Sequence, residues 1–487
     1  MADLSLPPLL AHAPEKSPPT KWWTYLLPAI LAVVGILIAT GAAIEGQKRA
    51  RERDIQALKL EYHTLNPVKR ELSPITPRYE AVKRIEEGRP LDADLQQKHL
   101  RSYVRDGRHF TNWDGYRYEE IIELGYIYAR GEDPFVFDPV VGERRIRNVV
   151  WYPLYPLLGY AVKTITGLPA VTALTAVSNI CIVLAAMVFF AVARKHFFNR
   201  IPEVRSENES HITQRWDISP VDTAALFTVA LLLFNPASVF FYANFTESIF
   251  MLLLATFLLC LQNRWWWRAA LIAAVASSCR SQGVLFGPIL ALVFLLRSDM
   301  RNLYGRFALA FVFGLIAATG LIAYMIYLHL TFNHATAFMS AQSGWNVGIN
   351  GITLRTALNP INALTHWMNY AFYTNPMDWP RLYEATCVVL PPIVLLILGQ
   401  RFLSFEFEIF GWVLWGLPYV SNAAAGNPPG DTAWMSMGRF TAVNVGLLII
   451  AGAVLVRFRW LAPFLLTVSA ALFALFCYKF GMGDWIG

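Results

Sequence analysis

Residues 168–193 read LPAVTALTAVSNICIVLAAMVFFAVA, a run without Asp, Glu, Lys or Arg that stops at Arg194-Lys195. About 20 apolar residues in a helix cross the roughly 30 Å hydrocarbon core of a bilayer, so this run reads as a membrane span with a basic inner flank. Similar runs lie at 22–44, 222–241, 248–261, 307–329, 385–398, 409–420, 440–456 and 461–478. Two shorter apolar pieces within 267–296 are split by Cys279-Arg280-Ser281-Gln282-Gly283, the pattern of a broken or re-entrant hairpin. The expected fold is an all-α polytopic membrane protein, a bundle of about 11 transmembrane helices.

Composition agrees. The 487 residues are 55% hydrophobic and 15% charged, and mean hydropathy is +0.40. A formal charge of +7 belongs to inner loops and lipid headgroups in such a chain, and nucleic acid is excluded as a partner. The five cysteines, Cys181, Cys260, Cys279, Cys387 and Cys477, lie in or beside apolar runs without metal-ligand spacing and read as packing residues.

Basic residues order the topology. Connections carrying Arg194, Lys195, Arg200, Arg205 and Arg215, then Arg264 and Arg268, then Arg297, Arg301 and Arg306, then Arg457 and Arg459, alternate with connections nearly free of Lys and Arg. With the basic loops inside, residues 1–21 form a cytoplasmic tail and 22–44 the first span. Residues 45–150 then form a long, largely helical extracytoplasmic module, and 151–487 a bundle with outer loops near 331–382 and 423–437. Lys48, Arg49, Arg51 and Arg53 oppose this assignment, but long translocated segments follow the charge rule poorly.

The polar module ends in Trp113-Asp114-Gly115-Tyr116-Arg117-Tyr118, followed by Glu119, Glu120 and Glu123 and by Trp151-Tyr152-Pro153-Leu154-Tyr155-Pro156. Asp114 is either a helix N-cap or a general base able to take a proton from a hydroxyl within about 3 Å. The rings of Trp113, Tyr116, Tyr118, Tyr152 and Tyr155 suit an interfacial aromatic belt or a sugar site. Glu247, in Asn244-Phe245-Thr246-Glu247-Ser248, is either a first-turn carboxylate or a substrate contact. Asn244-Phe245-Thr246 also matches an N-glycosylation acceptor. Arg280 interrupts apolar sequence, which calls for an anionic ligand such as a lipid phosphate or for a carboxylate such as Glu247. Arg439 is a second phosphate contact or a snorkelling arginine. His109, His334 and His366 lack metal-site spacing, and Asp92-Ala93-Asp94 follows Pro90 as a helix start does, so no metal site is assigned.

Taken in order, these motifs resemble the bacterial PIG-V-like branch of the membrane-embedded GT-C glycosyltransferases, relatives of the second mannosyltransferase of GPI-anchor synthesis. The resemblance rests on Trp113-Asp114-Gly115 running into Gly125-Tyr126, Tyr152-Pro153-Leu154-Tyr155-Pro156-Leu157, Thr246-Glu247-Ser248-Ile249-Phe250 and Arg280-Ser281-Gln282-Gly283. Ser436-Met437-Gly438-Arg439-Phe440 is a weaker fifth match, and the whole covers roughly residues 110 to 445. It implies an inverting transferase of the bacterial plasma membrane with its site facing outside. The donor would be a polyprenyl-phosphate sugar, mannose by analogy, and the acceptor a glycolipid or glycan among the membrane lipids. In that scheme Asp114 is the base, Arg280 and Arg439 hold the donor phosphate, and Trp113, Tyr116, Tyr118, Tyr152, Tyr155, Glu247 and Gln282 line the substrate site. Some members carry paired acids in the first outer loop and use a divalent ion. This chain has a single Asp at the matching motif, which leaves a divalent metal poorly supported and no other cofactor assigned. A lipid or glycolipid transporter is the alternative, because broken helices and intramembrane arginines also mark transport paths.

Overall fold

In the computed structural model, the described residues are 22–64, 79–80, 82–84, 87, 109–129, 135–138, 143–200, 218–342, 390–422 and 437–484. The tail 1–21, most of the segment between Thr64 and His109, Cys387, and most of the loops expected near 331–382 and 423–437 lie outside them. Asp92, Asp94 and His366 do so too.

Among the described residues the protein is all-α apart from one pair of short strands. Helices α1 (Leu26–Thr64) and α2 (Asp114–Leu124) precede an antiparallel pair, β1 (Phe135–Asp138) and β2 (Glu143–Ile146), with Phe135 opposite Ile146. Helices α3 (Leu154–Thr166), α4 (Ala170–Arg200), α5 (Pro220–Phe234), α6 (Val239–Tyr242), α7 (Glu247–Gln262), α8 (Trp266–Ser277), α9 (Phe286–Arg297) and α10 (Leu303–Phe332) follow. The chain closes with α11 (Ala337–Gln342), α12 (Leu390–Gly399), α13 (Phe405–Asn422), α14 (Met437–Thr441), α15 (Val445–Arg457) and α16 (Ala462–Met482).

Among the described residues four helices are long and apolar enough to cross a membrane: α1 with its short 3-10 lead-in, α4, α10 and α16. A fifth span results if the bent pair of Pro220–Phe234 and Pro236–Tyr242 counts as one. Five further apolar helices among the described residues hold 10–17 residues each, and a 12-residue helix such as α8 is only about 18 Å long. The expectation of a bundle of about 11 transmembrane helices is therefore met only in its coarser form, a helical protein with four or five helices long and apolar enough to span a membrane.

The span expected at 22–44 does not end there. Helix α1 runs unbroken through Glu45, Arg49 and Glu52 to Thr64, a length of about 58 Å. No proline interrupts it after Pro28, and Arg49 pairs with Glu45 and Glu52, each at 3.4 Å. Such i,i+3 and i,i+4 pairs support a helix where apolar packing has ended. Its inner face is small, with Ala32, Gly35, Ala39, Ala43 and Gly46 buried. That face seats α1 on α16, where a Cβ on Gly46 would overlap the Tyr478 carbonyl oxygen and one on Gly481 that of Ala43.

Helix α4 is the centre of the core. More than half of its apolar window (56%) is buried, against 22–28% for the other three long spans. It packs on α5 and α7, and Phe189, Phe190, Phe240, Phe241, Phe245, Phe250 and Phe257 fill the space around it.

Between α5 and α6 the chain bends by 68° at Asn235-Pro236. Proline has no N–H to continue the ladder and keeps Asn235 extended, with ψ 156°. The carbonyls left over are satisfied by side chains. Asn235 Nδ2 donates to Leu231 O at 3.0 Å, Ser238 Oγ to Leu232 O at 2.6 Å, and the Tyr242 hydroxyl to Leu233 O at 3.1 Å.

The molecule has two chemically different ends. At one, Arg194 pairs with Asp222 (2.6 Å), Arg264 with Asp299 (2.6 Å) and Arg297 with Glu406 (2.7 Å), joining the basic connections. At the other lie the start of α2, the bend, the start of α7, the turn after α8, Arg439 and the end of α16.

Candidate functional site

Three neighbouring stretches place the acids. The segment before α2 is tied to the bend: Asn244 N donates to Phe110 O (3.0 Å), Asn244 Nδ2 to Thr111 Oγ1 (2.7 Å) and Thr175 Oγ1 to Asn244 Oδ1 (2.8 Å). Asn112 Nδ2 adds a bond to Phe480 O (2.6 Å). Asn244 is thus fully buried and bonded through both side-chain groups, which removes the glycosylation reading of Asn244-Phe245-Thr246. Trp113 has φ 46°, a left-handed backbone that is costly for a bulky residue, and its ring lies edge-on to Phe480 at 5.3 Å.

The turn at Trp113 sends Asp114 off as the first helical residue of α2. The N-cap position is Trp113, one residue earlier, so Asp114 is not the N-cap. Its Oδ2 instead accepts from Arg439 Nη1 at 2.5 Å. Arg439 Nε also donates to Glu247 Oε1, and Arg280 Nη1 reaches the same Oε1 at 3.0 Å. Arg280 Nε donates to Gln282 Oε1 at 2.7 Å. Two arginines and two carboxylates from four separate segments thereby form one chain, Asp114–Arg439–Glu247–Arg280, with Gln282 at its end. Glu247 meets both arginines through Oε1, while its Oε2 is buried without a hydrogen-bond partner among the described residues. Arg280 pairs with Glu247, the carboxylate expected as one alternative for it, and Arg439, expected as a phosphate contact or a snorkelling arginine, pairs with Glu247 and Asp114.

Aromatic faces close around the cations. The Arg439 guanidinium carbon sits 4.6 Å from the Phe245 ring centroid and 5.7 Å from that of Phe440; Arg280 is 5.3 Å from both Phe250 and Phe440. Such contacts stabilise a desolvated cation by roughly 0.5–2 kcal/mol each. Sequence reasoning passes over Phe245, Phe250 and Phe440, although each lies within three residues of a site residue. Burial grades the acids: the Glu247 side chain is 0% exposed and that of Asp114 24%, so Asp114 is the carboxylate a ligand can reach.

The turn that carries Arg280 is recessed. Helices α8 and α9 are 12 residues each, and Gly283 folds back on α8, where a Cβ would overlap the Ala276 carbonyl oxygen. The broken hairpin expected at 267–296 is thus two short helices joined at Arg280.

Other expected residues go elsewhere. The Tyr155 hydroxyl donates to Leu174 O at 3.0 Å and shares a 2.7 Å hydrogen bond with Ser178, so it ties α3 to α4 inside the core. Tyr152 packs against Tyr324 and Phe338, each at 5.8 Å. Neither joins the ionic chain. Tyr116 reaches Asn112 Oδ1 at 3.4 Å. Tyr118 is buried edge-on to Tyr155 at 5.0 Å, and burial, with the Asp114 charge adding to it, holds its phenol well above the ordinary range. It is therefore a neutral O–H beside the cluster at working pH. Glu120 pairs with Arg145 (2.5 Å) and Arg117 (3.0 Å), and Glu123 with Lys163 (2.5 Å); these acids brace α2 against β2 and α3.

No family model, curated protein or solved structure matches this chain. Among the described residues no three His, Cys, Asp or Glu are grouped so as to hold a metal ion.

A groove of about 580 Å³ runs outside the cluster, between α2, α3 and α10. Ile121, Ile122, Leu157, Tyr160, Ala323 and Tyr327 line it, and Ser278 lies at its wall, two residues before Arg280. Its size is in the range of small-molecule sites, about 300–1,000 Å³.

Proposed function

We propose that this protein is a GT-C-like membrane glycosyltransferase. It moves a sugar, mannose by resemblance, from a polyprenyl-phosphate donor to a glycolipid or glycan hydroxyl at the non-cytoplasmic face. The observation that carries the reading is the convergence of Asp114, the more open of the cluster's two acids, with two arginines at the end of the molecule away from the basic connections. Asp114 accepts the acceptor hydroxyl's proton as that oxygen bonds to the anomeric carbon. The bond from this carbon to the donor phosphate oxygen breaks on the opposite side, inverting the centre. The electron pair leaves on the lipid phosphate, whose charge Arg439 and Arg280 meet. The apolar groove beside Ser278 offers room for a hydrocarbon chain. In this reading the shorter apolar helices also cross, for about 11 spans, and the basic end faces the cytoplasm of a bacterial plasma membrane.

A transporter draws on broken helices, but the carbonyls freed at the 68° bend are already bonded by Asn235, Ser238 and Tyr242. The two readings separate in one assay. Purified protein is given polyprenyl-phosphate mannose labelled in the sugar, together with a glycolipid extract. Label appearing in the glycolipid is expected, and movement of intact labelled lipid across vesicles without transfer would overturn the proposal.

A further inference from the structure

Every charged group of the cluster is already engaged. Arg439 gives Nη1 to Asp114 and Nε to Glu247, and Arg280 gives Nη1 to Glu247 and Nε to Gln282. The Nη1–H that Asp114 Oδ2 takes is not available to a phosphate oxygen in that position, although the guanidinium keeps other N–H groups and the carboxylate other lone pairs. The pair thus sets Asp114 in competition with a ligand phosphate for Arg439 and turns its carboxylate toward the cation.

The two carboxylates on Arg439 are not equivalent. Glu247 is fully enclosed, bound by two arginines, and set among the rings around α7, so removing it would take the carboxylate from Arg280 and leave Arg439 with Asp114 alone. Asp114 holds one arginine, is 24% exposed, and stands at the first residue of a helix after the left-handed turn at Trp113. An incoming anion can replace Asp114 on Nη1 while Nε stays on Glu247. Phosphate brings more acceptor oxygens than a carboxylate and suits the planar guanidinium fork.

We infer that the Arg439–Asp114 pair is a latch opened by the phosphate of the lipid-linked substrate. The phosphate takes Arg439 Nη1, and the displaced carboxylate turns to the acceptor hydroxyl. This rests on the transferase reading above and adds an order to it: the donor binds first, and the base is presented only in its presence. Asp114 thereby competes with the ligand's phosphate, so removing its charge strengthens binding while it stops the chemistry.

The test is the dissociation constant of farnesyl phosphate, a sugar-free lipid phosphate, for the full chain in nanodiscs. Wild type is compared with Asp114→Asn and Asp114→Ser. The latch predicts at least tenfold tighter binding in both variants and no gain for farnesol, which lacks the phosphate. Unchanged or weaker farnesyl phosphate binding in the folded variants overturns the latch, as does an equal gain for farnesol. If wild type transfers sugar and the variants bind no tighter, the latch falls and the transferase reading stands. If wild type neither transfers sugar nor binds farnesyl phosphate, both fall.

Discussion

Arg439 follows Asp114 by 325 positions in the chain and donates to its carboxylate at 2.5 Å. The late segment after α13 and the start of α2 therefore share one site, and Glu247, on the other side of Arg439, links both to Arg280.

Glu247 is the keystone of that chain. Glu247→Ala leaves two buried arginines without their shared carboxylate, and loss of one partner from a buried pair costs about 3–5 kcal/mol. Thermal unfolding in detergent should shift strongly downward. Glu247→Gln, which keeps the shape and one acceptor oxygen, should shift it less; equal stability of Glu247→Ala and wild type would contradict the burial.

Gly283 has no space for a side chain against the Ala276 carbonyl. Gly283→Ala should push the 280–283 turn off α8, at a cost of about 1–3 kcal/mol. Because Arg280 moves with it, the KM for the lipid-linked donor should rise more than the stability loss alone explains. A variant with wild-type melting and wild-type KM would show that the turn is not held this way.

Tyr155 is a strut between α3 and α4 through Leu174 and Ser178. Tyr155→Phe leaves the Ser178 and Leu174 groups short of a buried hydrogen bond, a loss of about 1–3 kcal/mol in stability. Its kinetic constants, measured below the melting transition, should stay within about twofold of wild type. A large selective rise in substrate KM would return Tyr155 to the binding site.

The division between legible and hidden features follows physical lines. Apolar runs such as 168–193 announce helices because the bilayer demands unbroken apolar length. Arg280 announces itself because a cation in apolar sequence needs a partner. The continuation of α1 past Glu45 is hidden because its charges read as the end of a span, while the i,i+3 and i,i+4 pairs that sustain the helix need its geometry to be seen. The strands β1 and β2, Phe135-Val136-Phe137-Asp138 and Glu143-Arg144-Arg145-Ile146, show no alternation of apolar and polar residues. Tyr152 and Tyr155 carry the residue type of a sugar site, but which way a ring points depends on neighbours such as Ser178 and Tyr324. The ion pair of Asp114 with Arg439 needs contacts across 325 positions, which no local pattern encodes.

The central claim is that Asp114 accepts the acceptor proton. General-base catalysis contributes about 100- to 10,000-fold to rate. The direct measurement is kcat for sugar transfer from labelled polyprenyl-phosphate mannose by wild type and Asp114→Asn, both checked for folding by thermal melting. The account predicts a kcat lower by that factor in a folded variant that still binds the lipid phosphate. Transfer by folded Asp114→Asn at the wild-type rate would contradict it.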